Sequence, residues 1–166
     1  MFQKNKKGFS LVELLIVLAI MTIMTGVVFA TKNGDKKASV DVEAATRDVA
    51  AQIRSLQNEA LNGKMIGTIP ACSFKFAMAN GDTKYSVSYF SDCSATTIIG
   101  AVKDINFNSK KTVKANSANS FYFSAPQGTV SASQKIGLES LSDSSVKGCV
   151  VVSANGSVTE NKGVCL

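Results

Sequence analysis

The apolar positions divide the chain into three regimes. From Phe9 to Ala30 almost every residue is apolar, and as a helix this run is roughly 33 Å long, enough to cross a bilayer. Glu13 is the one ionised residue inside it, Lys4, Lys6 and Lys7 precede it, and Gly8 separates those lysines from the run. From Ser39 to Asn62 the pattern becomes amphipathic. Val42, Ala45, Val49, Ile53, Leu56 and Ala60 recur by threes and fours, with Glu43, Arg47, Asp48, Arg54 and Glu59 on the other side. Glu43 and Arg47 are spaced as a favourable helical pair. Gly63 stands where such a helix would stop. The stripe covers too few heptads for a coiled-coil seam and is the face expected to pack on a sheet. Between the two regimes, Asn33-Gly34 is a turn signal expected to weaken or bend the helix.

From Ile69 the period changes to two. Cys72 to Ala77 alternates, as does Tyr85 to Phe90, and Asn80-Gly81-Asp82-Thr83 joins them as a four-residue hairpin connection. Centred there, the hairpin places Ala79 opposite Lys84 and Cys72 opposite Ser91. Thr96 to Val102 is a strand by its β-branched start, continued after a bend by Asp104 to Phe107. Ser109 to Ser120, polar and carrying Lys110, Lys111 and Lys114, is expected as a loop. Further strands are predicted at Phe121-Tyr122-Phe123, Thr129 to Ala132, Lys135 to Leu138 and Gly148 to Val152. The last returns through a two-residue turn at Asn155-Gly156, which puts Cys149 opposite Lys162.

Charge and cysteine usage narrow the chemistry. The formal net charge is +6, and removal of 1–8 takes away three lysines and no acid, leaving +3. That is mildly basic and does not by itself indicate a nucleic-acid binder. With no histidine in the chain, Ser-His-Asp triads, Cys-His dyads and histidine-bearing zinc sites are excluded. No other catalytic constellation, metal site or cofactor site is expected, so the chain is read as a non-enzyme. The four cysteines, Cys72, Cys93, Cys149 and Cys165, contain no C-x-x-C pair. In an oxidising compartment they read as two disulfides, with four free thiols as the alternative. The two hairpin registers favour Cys72–Cys93 and Cys149–Cys165 among the three connectivities.

Three readings compete for the N-terminal run. A secretory signal peptide, with Val28-Phe29-Ala30 as cleavage box, fits the lysines, but its apolar part is normally about 7–15 residues. A plain anchor, lysines kept in the cytoplasm, fits length and charge. It leaves Glu13 unexplained, a residue costing on the order of 2.5–3.5 kcal/mol near the centre of a span. Gly8 followed by Phe9-Ser10-Leu11-Val12-Glu13 instead resembles the cleavage and methylation signal of the type IV pilin superfamily. The resemblance implies cleavage after Gly8 by a prepilin peptidase, a methylated Phe9 amine, and Glu13 as the glutamate that matches a neighbouring subunit's amine during assembly.

Three later stretches resemble the GspH/FimT family of minor pilins and pseudopilins: Ala50 to Ala60, Phe123 to Gly128, and Val150 to Val158. The implied fold is α+β, with a long N-terminal helix, half transmembrane and half amphipathic, packed on an antiparallel β-sheet domain. The implied organisation is a leader at 1–8, a transmembrane assembly segment at 9–30, a linker and amphipathic helix at 31–63, and a β-rich domain at 64–166. The implied role is a structural, minor subunit of a type IV pilus or a type II secretion pseudopilus. It would be single-pass in the membrane, with cytoplasmic leader and exported C-terminal domain. Its partners would be other pilin subunits, the peptidase, an inner-membrane assembly platform and membrane lipid. DNA capture by a pilus-tip subunit is the alternative. Members that bind DNA use a basic motif after a closing-hairpin glycine, whereas here Gly156 is followed by Ser157-Val158-Thr159-Glu160.

Overall fold

The structure, a computed structural model, describes residues 11–108 and 111–165, and within its helix the side chains of 28–35 are not described. The chain divides into two compact units between Lys37 and Ala38. Helix α1, Leu11–Leu61, is continuous through that division, so the backbone at Asn33-Gly34 is helical rather than interrupted. A glycine inside a helix costs about 1 kcal/mol relative to alanine, too little to break a helix sustained on both sides.

In the first unit, every described residue over 11–27 is exposed. Among the described residues no helix is long and apolar enough to cross a membrane. Of the expected transmembrane segment 9–30, the structure describes the backbone of 11–30 and the side chains of 11–27.

In the second unit α1 is amphipathic. Val42, Ala45, Val49, Ile53, Leu56 and Ala60 are all buried, and Thr46 and Ala50 join them. The helix closes as the sequence indicated. Gly63 takes φ +64°, Lys64 N–H donates to Glu59 C=O at 3.1 Å, and Gly63 N–H donates to Ala60 C=O at 3.4 Å. Those two bonds satisfy carbonyls that the last turn leaves without partners.

The strands are β1 Met65–Ile66, β2 Ile69–Pro70, β3 Ser73–Met78, β4 Lys84–Phe90, β5 Ile98–Asn106, β6 Val113–Ala115, β7 Asn119–Ser124, β8 Gln134–Ser140, β9 Lys147–Val152 and β10 Val158–Lys162. They form not one sheet but two four-stranded antiparallel sheets, ordered β5-β4-β3-β7 and β10-β9-β8-β6, beside a two-stranded ribbon of β1 and β2. The β3–β4 register, Ser73 opposite Phe90 and Phe76 opposite Val87, is the one that a connection centred on Gly81-Asp82 dictates.

Four strand expectations are corrected. The lysine-bearing loop contains β6, because Val113 and Ala115 bury alternately and pair with β8. Thr129 to Ala132 is not a strand; only Thr129 bridges Ser124. Strand β5 begins at Ile98, since the backbone N–H groups of Thr96 and Thr97 donate to the Asp92 carboxylate instead. It then runs unbroken to Asn106, and the pairing irregularity falls opposite the stretch holding Gly100, at φ +74°. The last hairpin is one residue out of the expected register, with Cys149 opposite Asn161. Its loop is longer: Gly156 N–H donates to Ser153 C=O, Ser153 N–H donates to Ser157 C=O, and Gly156 sits at φ +87°. A type I turn followed by a left-handed glycine is the three-residue hairpin solution, not the two-residue one.

The buried helix stripe and the inward residues of both sheets form one core, including Phe74, Phe76, Phe107, Phe123, Ile136, Leu138 and Val150. Phe76 stacks between Tyr85, at 5.1 Å, and Phe121, at 5.4 Å between ring centroids. Each such aliphatic or aromatic side chain contributes about 1.5–3 kcal/mol when fully buried, so this packing, rather than helix propensity, holds α1 to its domain.

Candidate functional site

The segment 11–27 combines strong exposure with almost complete apolarity. Leu11 is 76% exposed, and Ile23 and Met24 are each 68% exposed. Its hydroxyls are turned back on the helix. Thr22 Oγ1 donates to Leu18 C=O at 3.0 Å and to Ala19 C=O at 2.8 Å, and Thr25 Oγ1 donates to Met21 C=O at 2.7 Å. Hydroxyls satisfied inside their own helix leave an exterior that reads as apolar. Gly26 has open space where a side chain would be.

Glu13, in the first described turn, is the only charged residue over 11–27. A carboxylate in apolar surroundings requires a cation or hydrogen-bond donors, and among the described residues 11–21 none carries such a side chain. The expected cleavage position after Gly8 and the Phe9 amine lie outside the described residues. Lys36 and Lys37 are exposed just before the second unit.

The cysteines brace the second unit at two ends. Cys72, just before β3, is joined to Cys93 in the loop after β4, with Cα atoms 4.9 Å apart. Cys149, in β9, is joined to Cys165 beyond β10, with Cα atoms 5.2 Å apart. The one-residue register change at the last hairpin leaves this pair within reach, because the three residues after β10 can turn back.

Ion pairs that the sequence did not indicate fasten β10 to α1. Arg54 donates to Glu160 Oε1 at 2.8 Å and to Val158 C=O at 3.1 Å. Lys162 Nζ lies 3.0 Å from Glu43 Oε2, while Arg47 meets Glu43 Oε1 at 2.6 Å. Lys162, then Arg47, hold the Glu43 carboxyl below its usual range. Of these contacts only Glu43–Arg47 had a local signal; Arg54 and Glu160 are distant in sequence.

Two of the three lysines of the polar segment are among the described residues. Lys110 lies outside them, Lys111 is exposed, and Lys114 pairs with Glu139 at 3.1 Å. After Gly156, Glu160 and Lys162 are the paired residues just described, so that hairpin presents mixed charge. Among the described residues no three His, Cys, Asp or Glu side chains gather as a metal site.

Residues 3–29 match the family described as the prokaryotic N-terminal methylation motif. No curated protein and no solved structure matches the chain. The motif supports a type IV pilin-like protein and implies processing by a prepilin peptidase and assembly with other pilin subunits. It is a structural pilin motif rather than the mark of an enzyme class.

Proposed function

We propose that the chain is a minor structural subunit of a type IV pilus or a type II secretion pseudopilus, related to the GspH/FimT group. A prepilin peptidase cuts after Gly8, and the new Phe9 amine is methylated. The run 9–30 holds the subunit in the membrane, with the leader on the cytoplasmic side and the disulfide-bonded domain exported. An inner-membrane assembly platform then transfers it from lipid into a helical bundle.

The observation that carries this reading is the exposed apolar helix 11–27 with Glu13 as its single charge, lying within the methylation motif. Such a surface needs lipid or other apolar helices as its surroundings. In a bundle the charge needs a cation, and a free N-terminal amine on a neighbouring subunit has the right sign and the right depth. Matched, the pair fixes axial register; unmatched, the buried carboxylate opposes packing.

A photocrosslinking residue placed at Val17 in the native host tests the reading. The expected product is a covalent adduct with another pilin or pseudopilin subunit. Adducts to lipid alone, under conditions in which the host assembles filaments, would contradict it.

A further inference from the structure

A cavity of about 320 Å³ opens on the face of the β5-β4-β3-β7 sheet turned away from the core. Its lining is dominated by hydroxyls: Ser73, Tyr122, Ser124, Thr129 and Ser131. Ser73, one of the lining residues, is only 1% exposed.

The backbone places three of these groups in a row. Ser73 on β3 is directly opposite Ser124 on β7, and Ser124 bridges Thr129. Residues directly opposite in a ladder project to the same face. Neighbouring strands lie about 4.8 Å apart, close to the separation of alternate equatorial hydroxyls on a six-membered sugar ring.

Both walls are fixed in advance. On one side Cys93 is tied to Cys72, and Asp92 receives the N–H groups of Thr96 and Thr97 and the hydroxyls of Ser94 and Thr96. Ala95 is held there at φ +55°, a conformation that alanine rarely adopts and that the surrounding contacts must enforce. On the other side Gly128 N–H donates to Ser124 C=O at 2.8 Å, and Val130 N–H donates to Ala154 C=O at 3.2 Å.

We infer that this cavity binds a neutral polyhydroxylated ligand, a single sugar unit of a glycan. Among the described residues no charged side chain lines it, so an ion would find no counter-charge there, whereas each hydroxyl both donates and accepts. Tyr122, Val130 and Ala95 supply apolar surface for the C–H faces of a sugar ring. The volume is at the lower end of the range for small-molecule sites, about 300–1,000 Å³, which suits one ring rather than a chain.

The test uses the full chain in phosphocholine micelles, which carry no sugar headgroup. Saturation-transfer NMR is recorded with the methyl glycosides of glucose, galactose, mannose and N-acetylglucosamine, and inorganic phosphate is added as a competitor. Saturation should reach at least one glycoside and be insensitive to phosphate. The pair Ser73→Ala/Ser124→Ala should weaken binding by about tenfold, in line with two lost hydrogen bonds. Thr129→Val, in an exposed position, gives a second reading with little risk to folding and should also weaken binding. Ser86→Ala, outside the cavity on β4, should leave binding unchanged. Absence of transfer to all four glycosides, transfer unaffected by the cavity variants, or displacement by phosphate would overturn the inference.

Discussion

Gly148 on β9 lies so close under Thr46 of α1 that a methyl group on Gly148 would overlap the Thr46 hydroxyl and stand 3.2 Å from Val42 Cγ1. Helix and sheet therefore meet through a glycine, and Thr46 turns its hydroxyl onto its own helix, donating to Val42 C=O at 2.7 Å. Gly148→Ala should lower stability by about 1–3 kcal/mol, the usual cost of overpacking a filled interior. Adding Thr46→Ala should recover most of the loss, since it removes the overlapping atom and breaks only a bond within the helix. Thermal unfolding of the two variants and the wild type checks this; equal melting of all three would contradict it.

The disulfides should differ in what their removal loosens. Replacing Cys149 and Cys165 by serine opens a loop of sequence separation 16 and should cost about 3 kcal/mol. The loss should appear first as faster amide exchange in β10, an edge strand held otherwise by β9 and by the Arg54 and Lys162 contacts. Replacing Cys72 and Cys93 should instead mobilise 91–97. Non-reducing peptide mapping should find Cys72 with Cys93 and Cys149 with Cys165; a crossed pairing would contradict the fold described here.

What the sequence made legible follows from the range of each signal. The α1 stripe and the β3–β4 register are local, written in spacing of three and four and in a turn with glycine at a left-handed position, Gly81 at φ +81°. The partition into two sheets was not legible, because it depends on β7 returning to β3 and β6 reaching β8, pairings that no neighbouring residues announce. Strand β6 did carry a signal, Val113 and Ala115 alternating with polar neighbours, but three positions among lysines and asparagines are a weak pattern. At the candidate site Glu13 stood out from the sequence as one charge in an apolar run. The Arg54–Glu160 contact and the hydroxyl row of Ser73, Ser124 and Thr129 exist only once strands are paired.

Alkaline pH should weaken the β domain through Tyr85. Burial, with the Asp48 carboxylate adding to it, pushes the Tyr85 phenol from 10.0 up to about 12. The folded state therefore keeps a proton that the unfolded state loses first. The stabilisation is complete below about pH 10 and is lost as pH rises through about 12. Tyr85→Phe should flatten this part of the alkaline limb, read as denaturation midpoint against pH from about 8 to 12 in the range set by the two pKa values. Superimposable limbs for wild type and variant would contradict the assignment.

Glu13→Ala should leave leader cleavage, membrane retention and both disulfides intact while lowering incorporation into filaments by about tenfold or more, as expected when a charge pair that sets register loses one member. Glu13→Val should retain the membrane association and share the assembly defect. Comparing membrane and sheared-filament fractions measures both. Undiminished incorporation of either variant would remove the register role of Glu13.

The most direct measurement of the central claim is the N-terminus of the mature chain isolated from its host. Intact mass and N-terminal sequencing should show a chain lacking 1–8, beginning at Phe9 and carrying one added methyl group, with the apolar run retained. A mature chain beginning at Thr31, as a secretory signal peptide would leave, or one retaining Met1, would contradict the account.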